Sequence, residues 1–187
     1  MMIRRAGWLL LLLVCAWFTA TLSAQAPDPL GPQANRLKAL LGTWTLEGTV
    51  KAIEATGATD SGRVAYTQVG TLVNGGAILQ MQRTGTGPLG PVQEVWRYSY
   101  NPLTKSYRMD ATTARNVVRA FTLTIEGDVW SFDGTNTSLS GVVTFERFTI
   151  HFSPDMSTAV GRSEHSTDKK TWYERLTGTY RKSLDRK

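Results

Sequence analysis

Two glutamates lie in strand-like segments where every second residue is apolar or aromatic. Glu94 alternates with Val92 and Trp96, and Glu146 alternates with Phe148. A carboxylate on the inner face of a β-barrel loses contact with water, and its pKa rises unless a partner compensates. Such a group can act as a general acid or base, or it can anchor a ligand. Glu94 and Glu146 are therefore the candidate catalytic residues of this sequence.

Both glutamates also have an interpretation that involves no chemistry. A β-bulge would reverse the alternation and send the side chain to solvent. Alternatively, an inward arginine, Arg97 or Arg147, would pair with the carboxylate. The strand register after Val142 stays open, because both registers of "VTFERFTIHF" bury something polar. The pattern thus indicates candidates and no particular reaction.

Aromatic side chains recur in the same strand-like segments. A barrel of about ten strands can be wider than its side chains fill, which leaves room for one small apolar ligand. A packed core without a cavity is the alternative. The predicted ligand-binding residues are Trp96, Tyr98, Trp130, Phe132, Phe148 and His151.

Other motifs with a known chemistry are not in a suitable context. The segment "GTGPLG" (85–90) has the spacing G-x-G-x-x-G, but a strand pattern follows it where a nucleotide-binding fingerprint needs a helix. We therefore expect a loop between two strands. His151 and His165 are the only histidines in the sequence, and a metal site needs several ligands close together. No metal site is predicted.

The N-terminal segment is typical of a secretory signal. Two arginines precede the apolar run 8–18, and small residues follow it. We predict a signal peptide over 1–24, with cleavage that could extend to Ala26, and a periplasmic or secreted protein. Cys15 is the only cysteine and would leave with the signal, so no disulfide is expected. No stable membrane anchor is expected after cleavage.

The net charge of +6 comes mostly from the two ends of the chain. The segment 1–26 carries two basic residues, and 181–187 carries four basic residues and one acidic residue. Subtracting these from 21 basic and 15 acidic residues leaves fifteen and fourteen, a net charge of +1 for 27–180. Nucleic-acid binding needs a basic patch on the folded surface, so we expect no nucleic-acid partner.

The rest of the chain predicts one all-β domain. A proline-rich leader over 25–36 should be extended, and leucine spacing over 33–42 indicates a short helix that ends at Gly42. About ten alternating segments follow, separated by turn signals such as Asn-Gly-Gly at 74–76. We predict a single antiparallel up-and-down β-barrel over 37–182, followed by a basic tail over 183–187.

Three segments resemble a known bacterial family. They are "LKALLGTW", "LVNGGAILQ" and "SEHSTDKKTWYERLTGTYRK", and the pattern spans roughly residues 37–182. The chain resembles the domain of unknown function 1579 family. That resemblance implies a barrel like those of the lipocalins and other calycins, with no established activity.

The segment Gly42-Thr43-Trp44 is also similar to the opening of lipocalins and of nitrobindin-type haem barrels. The lipocalin resemblance implies that Trp44 plugs the barrel floor beneath an arginine of the last strand, Arg175 or Arg181. The nitrobindin resemblance implies haem at His165, but the surrounding residues do not match that pattern. No cofactor is therefore predicted.

These observations predict an exported barrel protein that binds a small apolar molecule in its interior. Two alternatives remain open, namely an enzyme that uses an inward carboxylate and a structural or partner-binding protein of the cell envelope. The identity of the ligand, the oligomeric state and the open end of the barrel are not determined by the sequence.

Overall fold

The computed structural model describes residues 31–114, 117–137 and 141–183, and its ten antiparallel strands close into one barrel. Each strand pairs with its neighbours along the chain, and the first strand pairs with the last. The predicted all-β up-and-down barrel is confirmed. The strands are β1 (Gly42–Val50), β2 (Gly62–Val73), β3 (Ile78–Gly87), β4 (Gly90–Asn101), β5 (Ser106–Thr113), β6 (Val118–Glu126), β7 (Val129–Thr137), β8 (Val143–Phe152), β9 (Thr158–Ser166) and β10 (Tyr173–Lys182).

The alternation of residue types determines which face of each strand turns inward. In β1, Trp44, Leu46 and Val50 are buried, whereas Thr45 and Glu47 are exposed. Successive side chains of a strand point to opposite faces, so one face of each strand can line a dry interior. The same alternation continues around the barrel and builds one continuous apolar core.

Glycines allow the strands to bend where the barrel needs sharp corners. A Cβ atom on Gly134 would lie 2.0 Å from the carbonyl oxygen of Ala120 on the neighbouring strand. A Cβ atom on Gly85 would lie 2.2 Å from the carbonyl oxygen of Ala65. Only glycine permits such a close approach of two backbones, and inward glycines of this kind are typical of strongly curved sheets.

Two predicted connections have the expected form. The Asn-Gly-Gly segment turns β2 into β3, and Asn74, Gly75 and Gly76 have φ of 52°, 66° and 91°. Asn and Gly adopt these left-handed conformations at low cost. The segment 85–90 ends β3 and begins β4, so it is the loop between strands that the sequence indicated.

The N-terminal helical segment differs in extent from the prediction. An α-helical turn, α1 (Gly31–Ala34), continues into a 3-10 helix over Asn35–Leu40. The leader is therefore helical from residue 31, where the sequence suggested an extended chain to 36. Packing explains the difference, because Ala34, Leu37 and Leu40 are buried against the barrel and tertiary contacts stabilise a short helix that is marginal alone.

This helical segment closes one end of the barrel. The Tyr107 hydroxyl donates a hydrogen bond to the carbonyl oxygen of Gln33 at 2.6 Å. Arg36 Nη1 donates to the carbonyl oxygen of Ile125 at 2.9 Å. Both contacts join the segment to strand ends at the same rim of the barrel. Solvent is therefore kept from this end of the core.

Trp44 forms the floor at the closed end, as the lipocalin resemblance implied. Its side chain is 1 % exposed. Its ring packs edge-on against Phe152 with the centroids 5.9 Å apart, and Phe152 contacts Trp130 at 5.1 Å. The cation near Trp44 is Lys182, whose Nζ lies 5.4 Å from the ring centroid.

The assignment of Arg175 or Arg181 to this role is wrong. The register of β1 and β10 pairs Trp44 with Lys182 but Val50 with Leu176. Arg175 therefore lies at the opposite end of the barrel. Arg181 is exposed, because the alternation of β10 turns it away from the core.

The ends of the chain lie outside the described residues. The predicted signal peptide, residues 25–30 of the leader and residues 184–187 of the tail all belong to them. Within the described ranges, no helix combines the length and the apolar character needed to cross a membrane.

Candidate functional site

A cavity of about 300 Å³ lies inside the end of the barrel opposite Trp44. Its upper wall is apolar and includes Val50, Val64, Val92 and Leu176. These side chains lie near the ends of their strands, where the core residues below no longer fill the interior. The volume is at the lower limit of typical small-molecule sites, and it equals about ten water molecules at about 30 Å³ each.

Glu94 lies at the polar floor of this cavity. Trp96 Nε1 donates a hydrogen bond to Glu94 Oε2 at 2.7 Å. Arg83 Nη1 lies 3.6 Å from Oε2, and Arg119 Nη2 lies 3.8 Å from Oε1. Burial raises the pKa of Glu94, but the charges of Arg119 and Arg83 and the bond from Trp96 outweigh it and lower the pKa. Glu94 is therefore ionised at neutral pH.

Arg83 is held firmly beneath the cavity. Its Nε donates a hydrogen bond to Gln68 Oε1 at 2.9 Å. Its guanidinium carbon lies 3.4 Å from the ring centroid of Trp96 and 4.9 Å from that of Tyr66. Stacking on aromatic faces and pairing with Glu94 compensate the burial of this charge. The position of the Arg83 guanidinium is therefore fixed by protein groups.

Glu146 is the second carboxylate of the floor, and it is 7 % exposed. Asn136 Nδ2 donates a hydrogen bond to Glu146 Oε2 at 2.6 Å, and His165 Nε2 lies 3.6 Å from Oε1. Burial raises the pKa of Glu146, but the contact with His165, the charge of Arg119 and the bond from Asn136 lower it to about 2. This carboxylate is also ionised at neutral pH.

Arg119 is the most exposed of the charged side chains at the floor. Its guanidinium acts on both Glu94 and Glu146, which raise its pKa although burial opposes this. Its Nε is buried and has no hydrogen-bond partner among the described residues. The side chain is 26 % exposed and lines the cavity. A ligand oxygen at the floor would therefore find a donor at Arg119.

The two glutamates face the interior, and the sequence named the wrong arginines as their partners. Arg97 is exposed on the outer face. Arg147 also faces outward, where its guanidinium carbon lies 3.9 Å from the ring centroid of Trp172. Strand alternation explains both positions, since each arginine directly follows an inward residue. The catalytic role suggested for Glu94 and Glu146 stays a prediction.

The arginines that the sequence reasoning missed carry the same alternation signal. Arg83 follows the inward Met81 by two residues, and Arg119 precedes the inward Phe121 by two residues. Charged residues are rarely buried without a partner, and the sequence analysis named neither arginine as an inward residue. The alternation of inward and outward positions along each strand would by itself have placed both arginines inside the barrel.

The aromatic residues predicted to bind a ligand pack below the cavity and do not line it. Phe132 contacts Phe148 with the ring centroids 5.5 Å apart, and Tyr98 contacts Phe132 at 6.3 Å. Trp130 packs against Phe152 at the closed end of the barrel. Trp96 contacts Arg83 with the face of its ring and Glu94 with its Nε1–H group. These side chains form a packed core below the cavity.

The two histidines lie on opposite faces of the barrel wall. His151 is exposed on the outer face, because it alternates with the inward Ile150 and Phe152. Its predicted place in the ligand site is wrong. His165 lines the cavity next to Glu146. Among the described residues, no group of three or more His, Cys, Asp or Glu side chains is placed to hold a metal ion.

Known proteins are similar to this chain in fold only. No family model matches it, and no curated protein matches it. Rv2717c from M. tuberculosis is similar with a TM-score of 0.58 at 13 % identity, over 83 % of this chain and 99 % of that protein. A de novo designed fluorescence-activating β-barrel has a TM-score of 0.41 at 11 % identity, over 78 % of this chain and 95 % of that one. The first comparison agrees with the barrel architecture.

Proposed function

We propose that the protein binds a small molecule in the cavity at the open end of the barrel. The observation that carries this proposal is the combination of an apolar wall with a polar floor. Small-molecule sites are mostly apolar and contain a few convergent polar groups. The ligand we propose has an apolar body against Val50, Val64 and Leu176 and one polar end at the floor.

Binding is a better proposal than catalysis for the two inward carboxylates. A general acid or base works best when its pKa is near the operating pH. Glu146 has a pKa of about 2, and the pKa of Glu94 is also lowered. Both carboxylates are paired with protein groups. We therefore interpret both carboxylates as groups that neutralise the charge of the floor arginines and help to form the surface of the floor.

A purely structural envelope protein would need no space inside the barrel. The closed end is filled by Trp44, Trp130 and Phe152, but the open end contains a cavity of about 300 Å³. This difference between the two ends supports ligand binding over the structural alternative.

We also propose that the chain is exported to the periplasm or secreted, in agreement with the signal pattern of 1–24. N-terminal sequencing of the protein from its own cells tests this proposal, with a first residue of Gln25 or Pro27 expected. An intact N-terminus would contradict it. Membership of the domain of unknown function 1579 family stays a prediction from the resemblance.

The binding proposal can be tested with a neutral apolar probe, N-phenyl-1-naphthylamine, whose fluorescence rises in a dry site. A Val64→Phe variant places a larger side chain on the cavity wall. Val69→Phe is the matched control, because Val69 is exposed on the outer face of the same strand. We expect the wild type and Val69→Phe to bind the probe and Val64→Phe to bind it at least about tenfold more weakly.

Native mass spectrometry of the protein from its own cells complements this titration. A retained small mass would support binding and identify the class of ligand. Equal probe binding by Val64→Phe and the wild type would contradict the cavity as the site. Failure of the wild type to bind either this probe or eight-carbon molecules such as octan-2-one would contradict the proposed function itself.

A further inference from the structure

We infer that the cavity selects a ligand whose polar end is uncharged and accepts a hydrogen bond from Arg119. This inference rests on the proposed binding function and adds the chemical class of the ligand. Alcohols, ketones, esters and amides have such an end attached to an apolar body. Fatty acids and alkylamines do not, because they are charged at neutral pH.

The charges around the cavity cancel. Among the described residues, three arginines and three acidic side chains line it. At the floor, Arg83 and Arg119 face Glu94 and Glu146. At the mouth, Arg175 donates hydrogen bonds to the carbonyl and the carboxylate of Asp60. His165 and Tyr66 are the other titratable side chains on the cavity; His165 contacts Glu146, and the Tyr66 hydroxyl lies 3.3 Å from that of Tyr180.

A charged head group would disturb this balance. A ligand carboxylate at the floor would bring a third negative charge beside two buried carboxylates. A ligand ammonium would bring a third positive charge beside two guanidinium groups. Charges interact strongly where water is scarce, and a buried charge without its own partner is costly. An uncharged end avoids both penalties.

The donor that lines the floor favours a ligand end that accepts a hydrogen bond. Arg83 is already bonded to Gln68 and stacked on Trp96. Glu94 Oε2 accepts from Trp96, and Glu146 Oε2 accepts from Asn136. The Arg119 side chain lines the cavity and is 26 % exposed, and its Nη2 lies 3.8 Å from Glu94 Oε1, which is beyond hydrogen-bond distance.

An unpaired buried donor is unfavourable, and the cost disappears when an acceptor arrives. A ligand oxygen beside the exposed part of the Arg119 guanidinium would accept a hydrogen bond from it without changing the net charge of the floor. The same donor would discriminate against a purely hydrocarbon ligand, which leaves it unpaired. The preferred ligand therefore has one oxygen at the end that enters first.

A set of eight-carbon probes that differ only at one end tests the inference. Octan-2-one, octan-1-ol, octanoate and octylammonium are titrated into the purified protein by calorimetry at pH 7, where the last two are charged. We expect the ketone and the alcohol to bind at least about tenfold more tightly than either charged probe.

Two variants should shift this preference in opposite directions. Glu146→Gln removes one negative charge, which leaves the floor with one net positive charge, and keeps an oxygen for Asn136, so octanoate should gain affinity relative to octan-2-one. Arg119→Met leaves one net negative charge and removes the donor, so octan-2-one should lose affinity and octylammonium should gain. Arg97→Met on the outer face is the control and should leave all four affinities unchanged.

The outcomes separate this inference from the proposed function. Binding of N-phenyl-1-naphthylamine shows that the binding function stands. If, in addition, a charged octyl probe binds most tightly or no octyl probe binds, the head-group inference is overturned. Folded Arg119→Met protein that binds octan-2-one as tightly as the wild type also overturns it. Absence of binding for N-phenyl-1-naphthylamine and all four octyl probes overturns the binding function.

Discussion

Replacing Glu146 with glutamine removes a buried charge but keeps an oxygen that can accept the hydrogen bond from Asn136. The folded state holds the pKa of Glu146 at about 2, compared with 4.5 for an ordinary glutamate. One pH unit of difference corresponds to about 1.36 kcal/mol. The carboxylate therefore contributes up to about 3.4 kcal/mol of pH-dependent stability at pH 7.

The direction of this dependence follows from the lowered pKa. A carboxylate whose pKa is lower in the folded state binds fewer protons when folded than when unfolded. Its contribution is complete above pH 4.5 and is lost as the pH falls through about 2. Between pH 7 and pH 3 the loss amounts to about 2 kcal/mol, because the folded carboxylate is still mostly ionised at pH 3.

Urea unfolding followed by tryptophan fluorescence measures this effect. The free energies of unfolding of the wild type and Glu146→Gln are compared at pH 7, 5, 4 and 3. The advantage of the wild type should shrink by about 2 kcal/mol across the series. Glu47→Gln on the exposed outer face is the control and should stay within about 0.5 kcal/mol of the wild type at each pH.

A difference between the wild type and Glu146→Gln that does not change with pH would refute the reasoning. It would mean that Glu146 is not held ionised by His165, Arg119 and Asn136 in the folded state. An advantage that grew on acidification would reverse the sign and indicate a raised pKa. A raised pKa would also weaken the charge balance on which the head-group inference depends, whereas an unshifted pKa would leave Glu146 ionised at pH 7.

Two further substitutions test the packing of the barrel by thermal unfolding. Gly161→Ala should lower the Tm by several degrees. The new Cβ atom would lie 2.7 Å from Tyr180 Cε2, and overpacking of this kind costs about 1–3 kcal/mol. An unchanged Tm would show that the Tyr180 ring moves aside freely. Lys182→Met should lower the free energy of unfolding by about 0.5–2 kcal/mol, because it removes the cation beside Trp44. Arg181→Met, at an exposed position, should leave it almost unchanged. Equal effects of the two substitutions would contradict Lys182 as the cation that stabilises Trp44.

Periodicity of side chains explains why the barrel could be predicted before its structure was known. Residues of one strand face share a spacing of two, so "TWTLEGTV" and its counterparts indicate both the strand and its buried face. Turn residues such as Asn74 and Gly75 then mark where the strands reverse. These signals are local, and the number and antiparallel order of the strands follow from them.

Alternation also placed Glu94 and Glu146 on the inner face, but it could not select their partners. Arg83 pairs with Glu94 because β3 lies beside β4 in a register that aligns these two residues. Arg119 reaches both carboxylates from a strand that is not adjacent to either of theirs. Distances across the interior depend on how the barrel closes, and a local pattern contains no information about closure.

The two ends of the barrel illustrate the same limit. The sequence by itself indicated that Trp44 lies near the start of the first strand and that Lys182 lies at the end of the last one. Only closure of β1 against β10 brought these two residues together and sent Arg175 to the opposite mouth. Contacts between distant segments likewise determine the helical packing of residues 31–40, the filled closed end of the barrel and the cavity at the opposite end. Local sequence determines which face of a strand is dry, whereas three-dimensional packing determines which dry faces are filled and which leave space for a ligand.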